Sequence, residues 1–265
     1  KIKKIKAEPL AFINKLINDF DMKIPKELPS MSSMLVGYFS YDIIRYIENI
    51  PDGCKDDLKI PDIRISRPRN LVIHDNIKKK IYYVENVYSD YKIKNYKEFY
   101  ESVISKFKLY ENYENIKLPE EFTYKKNKNL IKSNTSKKQF TSLVKKAKKY
   151  IKKGDIFQVV ISQRFERKIE KKPIEIYNFL RKSNPSPFMF YFNYENFNVL
   201  GSSPEILVRL RKNKVTIRPI AGTRPRGKNS NEDKKYQKDL LQDKKELAEH
   251  LMLLDLGRND VGKVV

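Results

Sequence analysis

The sequence predicts an α+β protein built from antiparallel sheet and flanking helices. Two observations carry this expectation. Apolar residues alternate in short runs separated by turn segments between about 157 and 220, and they follow helical spacing over 136–154 and 233–256. Connections of only a few residues between strand runs leave neighbouring strands antiparallel, so the second half of the chain reads as antiparallel sheet. With 265 residues, 40% hydrophobic and 12% aromatic, the chain has the composition of a globular protein with a substantial core.

Residues 1–120 read as an N-terminal α+β subdomain. A first helix runs through Phe12, Leu16 and Phe20, an apolar stretch follows at 34–39, and 81–88 (IYYVENVY) is a strand. Between 106 and 132 the pattern decays into Lys, Asn, Glu and Tyr without a period, so 121–135 is expected to connect two subdomains. Ser136 then caps a helix carrying Phe140, Leu143, Val144, Ala147 and Ile151, and Gly154 ends it. The run 156–165 (IFQVVISQRF) alternates as a strand, with Phe157, Val159, Ile161 and Phe165 on one face and Gln158, Val160, Ser162 and Arg164 on the other. A short helix at 174–181 precedes a strand within 184–192, and strands at 196–200 and 206–210 are separated by GSSPE. The turn at 212–214 returns the chain as VTIRPI. A single helix over 233–256 closes the described pattern, with Leu240, Leu247, Leu251 and Leu254 as its buried stripe.

Lys and Arg number 56 against 33 Asp and Glu, a formal charge of +23, which raises nucleic-acid binding as an alternative class. The lysines are dispersed and accompany abundant Ile, Asn and Tyr, and no nucleic-acid recognition motif appears, so nucleic acid is not the expected partner. Cys54 is the only cysteine, which excludes an intramolecular disulfide and fits a reducing compartment, the cytoplasm. No apolar run approaches bilayer length, so no membrane span is expected. The chain starts without methionine and ends on GRNDVGKVV without a cap, so both termini read as cuts.

The run 219–227 (PIAGTRPRG) is the strongest local signal for a site. Gly222 lets a ligand approach the main chain, Thr223 adds a hydroxyl, and Arg224 and Arg226 supply forked donors suited to a carboxylate. On the last helix, Glu246, Glu249 and His250 fall on neighbouring turns, a spacing that suits either a shared cation or a solvated face.

Four runs occur in one order: GDIFQVVISQRF, NPSPFMFYF with GSSPEILVR, PIAGTRPRG, and DKKELAEHLMLLDLGRNDVGKV. Together they closely resemble the chorismate-utilising enzymes, in particular the anthranilate synthase component I branch. The likeness is densest from about 136 to 265, and LVGYFSYDIIRYIE at 35–48 resembles the family's N-terminal subdomain, with Ser40 where the family commonly has glycine.

The resemblance implies the family fold, large antiparallel sheets flanked by helices, with 136–265 as the first part of a chorismate-binding catalytic domain. The implied chemistry is amination of the chorismate ring, loss of its hydroxyl, and elimination of pyruvate to leave anthranilate, the first step of tryptophan biosynthesis. Glu205 matches the general acid that helps hydroxide leave, a role that calls for a carboxyl holding a proton at that moment. Gln158 stands where water-using relatives carry a lysine base; a neutral amide suits ammonia. Gly222 and Thr223 match the chorismate-contacting pair. Glu249 matches a Mg2+ ligand, with Glu246 as its neighbour. Ala221 replaces the lysine nucleophile of aminodeoxychorismate synthase component I, the nearest alternative, and so favours the anthranilate branch.

Pro187, Phe188 and Met189 match a feedback pocket for L-tryptophan, although the serine motif that completes that pocket in the family is not in this sequence. A glutamine amidotransferase subunit is the implied source of ammonia. The family's later residues, among them a catalytic histidine, a second magnesium carboxylate and an arginine with a glycine-rich loop, do not follow Val265, and His250 does not replace that histidine. The expectation is therefore an incomplete chain, inactive alone and prone to aggregate through open sheet edges.

Overall fold

The structure is a computed structural model that describes residues 8–20, 22–111 and 131–264. Helix and antiparallel ladder make up both of the compact units into which the chain divides, Lys1–Leu118 and Pro119–Val265. All five strand pairings among the described residues are antiparallel, and each forms a two-stranded ladder.

In the first unit, helix α1 (Pro9–Asn18) starts where the Glu8 side chain accepts from the N–H groups of Leu10 and Ala11. It stops short of Phe20, whose ring instead lies 6.3 Å from that of Tyr88. Strand β1 (Val36–Phe39) pairs with β2 (Ile63–Ser66), and β3 (Asn70–Asp75) with β4 (Lys80–Glu85). The β3–β4 turn is held by Asp75, whose Oδ1 accepts from the N–H groups of Ile77 and Lys78. The strand expected over 81–88 ends at Glu85. Beyond it the buried Asn86 turns its amide inward, donating to the carbonyls of Ser32 at 2.9 Å and Pro68 at 3.3 Å.

The first unit also contains a helix that the sequence reading did not assign, α2 (Tyr96–Glu111), although Phe99, Val103, Ile104 and Phe107 follow helical spacing. Asn95 Oδ1 accepts from the N–H groups of Lys97 and Glu98 while its Nδ2 donates to Glu98 Oε1, a reciprocal cap. Tyr83 on β4 meets Phe107 and Tyr110 on α2, with ring centroids 6.4 and 5.6 Å apart. Beside this contact the Glu85 side chain is only 2% exposed, ion-paired to Lys106 at 2.9 Å and Arg69 at 3.3 Å. Burial works against its charge, and Lys106, Arg69 and Asn70 more than offset that, so the carboxyl is held below its ordinary range.

A folded pKa below the unfolded one stabilises above the ordinary carboxylate range, and the contribution is lost as pH falls through the depressed value. Because both cations are more than a third exposed, Glu85→Gln is expected to cost only about 1–2 kcal/mol at neutral pH. Denaturant titration should find that the gap between wild type and variant closes in acid; a gap independent of pH contradicts the assignment.

In the second unit, α3 (Lys137–Lys153) has both of its expected ends. Ser136 and Gln139 form a capping box, and Gly154 closes the helix at φ 81°, a left-handed conformation that glycine adopts without strain. Strand β5 (Lys132–Ser133) pairs with β6 (Phe165–Glu166), so the end of the expected 121–135 connection is a short strand, while 121–130 lie outside the described residues. The long strand expected over 156–165 is corrected to β6, of which only Phe165 lies in that range. A ladder needs a run of a partner's backbone groups; among the described residues 156–163 are in no strand, and next to β6 the Arg164 carbonyl accepts a single bond of 3.1 Å from the N–H of Asn134. The apolar face expected there is open, with Phe157 87% exposed.

Helix α4 (Pro173–Ser183) packs on the hairpin of β7 (Phe188–Asn193) and β8 (Asn198–Ser203), with Tyr177 against Tyr191. Phe190, Phe192 and Tyr194 alternate onto the other face and meet in sequence, at 5.6 and 5.9 Å. Strands β9 (Arg209–Arg211) and β10 (Lys214–Thr216) turn tightly through Lys212 and Asn213, both at positive φ as a two-residue hairpin requires.

The single helix expected over 233–256 is two, α5 (Ser230–Gln242) and α6 (Lys244–Gly262). Asp243 breaks them by taking an extended backbone (φ −71°, ψ 109°) and capping α6. The leucine stripe is not buried: Leu247, Leu251 and Leu254 are exposed and Leu240 is half-buried.

Candidate active site

The turn at 219–227 leaves β10 and runs against the α5–α6 break. Gly222 sits at φ 72°, and a Cβ there would lie 2.8 Å from Glu246 Oε2 and 2.9 Å from Leu240 Cδ1. Both the backbone conformation and the close approach call for glycine. Thr223, the next residue, is exposed, and its carbonyl accepts from Arg224 Nη1 at 3.1 Å.

The two arginines do not point at an open anion site, as the sequence suggested. Arg224 Nε donates to Asp239 Oδ2 at 2.6 Å, and its Nη2 donates to Asp243 Oδ2 at 2.7 Å. Arg226 pairs with Asp233 at 2.9 Å, with its own side chain 92% exposed. Asp239 and then Asp243 raise the Arg224 pKa further above its ordinary value. The Asp243 carboxyl is in turn held below its ordinary range, first by Arg224 and then by the N–H of Glu246. The link therefore persists through the ordinary carboxylate range and releases only as pH falls through the depressed value.

One turn along α6, Glu249 Oε1 accepts a long hydrogen bond of 3.4 Å from Gln158 Nε2. Gln158, Gly222, Glu246 and Glu249, which the sequence singled out separately, are thus brought together in pairs along one face of α6. Glu205 stands elsewhere, two residues past the end of β8 and exposed; its hydrogen bonds are local, between its backbone and Ser203 Oγ. Pro187, Phe188 and Met189 open β7, where Phe188 pairs with Ser203 and Met189 with Ser202. The expected tryptophan-pocket residues and Glu205 therefore share one end of the β7–β8 hairpin.

The family model described as chorismate binding enzyme matches residues 2–265. The chain belongs to the chorismate-binding enzymes. Within this family, anthranilate synthase component 1 of Cereibacter sphaeroides is 42% identical over 263 residues, covering 98% of this chain and 52% of that protein. The protein of the same name from Aquifex aeolicus is 42% identical over 273 residues, covering 97% of this chain and 52% of that protein. The crystal structure of anthranilate synthase component I from Streptococcus pneumoniae TIGR4 superposes with a TM-score of 0.80 at 31% identity, covering 98% of this chain and 56% of that one. The chain spans about half the length of the curated relatives it matches. The α+β class expected from the sequence is thereby borne out, as is the family resemblance.

For a chorismate-binding enzyme, the donors on α6 bear on whether Mg2+ can be held. Among the described residues no group of three or more His, Cys, Asp or Glu side chains converges. Glu246 and Glu249 offer two carboxylates one turn apart, and Mg2+ characteristically takes one or two protein carboxylates with its remaining positions filled by substrate and water. These residues fit the ion.

Asp239 and Asp243 are the members of this site that sequence reasoning missed. Asp243 was legible as the start of a D-x-x-E capping signature, Asp243 to Glu246, inside what otherwise reads as one helix. Gly222→Ala is expected to destabilise the complete protein by about 1–2 kcal/mol, from left-handed strain and displacement of the Glu246 carboxylate. A denaturation midpoint equal to wild type would contradict the close packing of this turn.

Proposed function

We propose that this chain is part of the synthase subunit of an anthranilate synthase, which takes chorismate and ammonia to anthranilate and pyruvate at the start of tryptophan biosynthesis. The observation that carries this reading is the approach of Gln158 to Glu249 in a chorismate-binding enzyme whose relatives include anthranilate synthases 37–42% identical to it. Gln158 cannot take a proton from water, whereas ammonia needs no such activation, so an amide at this position supports amination over hydration. Ala221 offers no amine to form a covalent bond to the ring, which supports the anthranilate branch over the aminodeoxychorismate branch.

Each residue has a defined task in this reading. Gly222 opens the main chain to the substrate, and Thr223 offers its hydroxyl. Glu205 gives a proton to the departing hydroxide, so that it leaves as water. Glu249 holds Mg2+, with Glu246 beside it; the bound ion supplies counter-charge for the substrate carboxylate. Pro187, Phe188 and Met189 receive the indole of L-tryptophan as feedback inhibitor, and a glutamine amidotransferase subunit delivers the ammonia. No described helix is long and apolar enough to cross a membrane, and cytoplasm is the proposed location.

The test is the complete protein with chorismate and Mg2+, with and without ammonium. Ammonium-dependent anthranilate is the expected outcome. Isochorismate formed without ammonium would contradict the role given to Gln158.

A further inference from the structure

Asp243 has two separate tasks, one on each carboxylate oxygen. Oδ1 accepts from the N–H groups of Lys245 at 2.9 Å and Glu246 at 3.2 Å, fixing the first turn of α6. Oδ2 accepts from Arg224 at 2.7 Å, fixing the turn that carries Gly222 and Thr223. Arg224 spends its remaining nitrogens on Asp239 of α5 and on the carbonyl of Thr223. The planar guanidinium reaches three separated acceptors from three different nitrogens at fixed angles, whereas an ammonium offers its three donors from a single nitrogen. The neighbouring Gly222 closes the same joint by lying against Leu240 and Glu246 without a side chain between them.

We infer that Arg224 is a positioning residue whose clamp between Asp239 and Asp243 makes the Gly222–Thr223 turn and the first turn of α6 one rigid piece. It thereby couples the seating of chorismate to the seating of Mg2+. This rests on the synthase reading, in which the turn contacts substrate and α6 carries the metal carboxylates. A clamp that holds both in register lowers the cost of ordering the second ligand once the first is bound, and the coupling acts equally in both directions. Arg226 does not share this task, because its pairing with Asp233 is solvent-exposed and leads away from α6.

Two variants isolate the clamp. Arg224→Lys keeps the charge and loses the fork. Asp243→Asn keeps a good helix cap and loses the charged partner. In the complete protein without ligands, each is expected to speed amide hydrogen exchange across 219–227 by about tenfold, whereas Arg226→Lys leaves exchange as in wild type. In calorimetric titrations, each is expected to weaken chorismate and Mg2+ binding together, by roughly 5–20-fold, with kcat within about twofold. The double variant should be no worse than the weaker single one, since both break the same link.

Unchanged exchange in 219–227 overturns the inference whatever the activity. So does a loss confined to one ligand, or losses that multiply in the double variant. A wild-type protein that makes no anthranilate would instead sink the synthase reading, while the exchange measurement would still decide the clamp. If Arg224→Lys fails to fold, Asp243→Asn gives the same readouts with the cap of α6 kept.

Discussion

Glu205→Gln in the complete protein is expected to lower kcat for anthranilate formation by roughly 10²–10⁴-fold while leaving the KM for chorismate within about threefold. Glutamine matches glutamate in shape and still forms hydrogen bonds, but it has no acidic proton to give to a departing hydroxide. The assignment rests on the match of GSSPE to the family motif. Glu205 follows the end of β8 and its side chain is exposed, with only its backbone engaged by Ser203. Steady-state anthranilate fluorescence reads the effect directly, and a kcat within tenfold of wild type would mean that the acid is another group.

The second large effect separates the two carboxylates of α6. Glu249→Gln is expected to raise the Mg2+ concentration for half-maximal activity by at least about 100-fold, and Glu246→Gln by about tenfold. The difference follows from their surroundings. Glu246 is pressed against the Gly222 backbone, while Glu249 faces Gln158. A direct ligand lost from a small, demanding cation leaves a coordination position to water, whereas a neighbour lost from its side only loosens orientation. Equal losses in the two variants would leave the assignment of Glu249 as the ligand without support.

Local chemistry explains which parts of the fold were legible in the sequence. Ser136, Gln139 and Gly154 announce the ends of α3 because caps are short-range hydrogen bonds between residues close in sequence. The same logic was available at Asn95 with Glu98 and at Asp243 with Glu246. The first opens a stretch in which Phe99, Val103, Ile104 and Phe107 also follow helical spacing, so α2 was legible and went unread among the lysines. At the second, apolar spacing continues from Leu240 to Leu247, so periodicity does not reveal a one-residue break. The strand expected over 156–165 shows the opposite limit, since alternation reports which residues suit a ladder and not whether a partner lies alongside.

The candidate site divides in the same way. Gly222 could be read from its turn chemistry. The approach of Gln158 to Glu249 spans 91 residues, and neither spacing nor motif announced it. Spacing left Arg224 and Arg226 equivalent. Their different fates depend on where α5 breaks, because that break presents Asp239 and Asp243 to one arginine and leaves the other to Asp233.

The most direct test of the central claim is the product balance of the complete protein, given chorismate, ammonium and Mg2+, with anthranilate followed by fluorescence and pyruvate by an independent assay. Equal amounts of anthranilate and pyruvate, rising together, are the expected result. Aminodeoxychorismate accumulating without pyruvate release would contradict the account and move the chain to the neighbouring branch of its family.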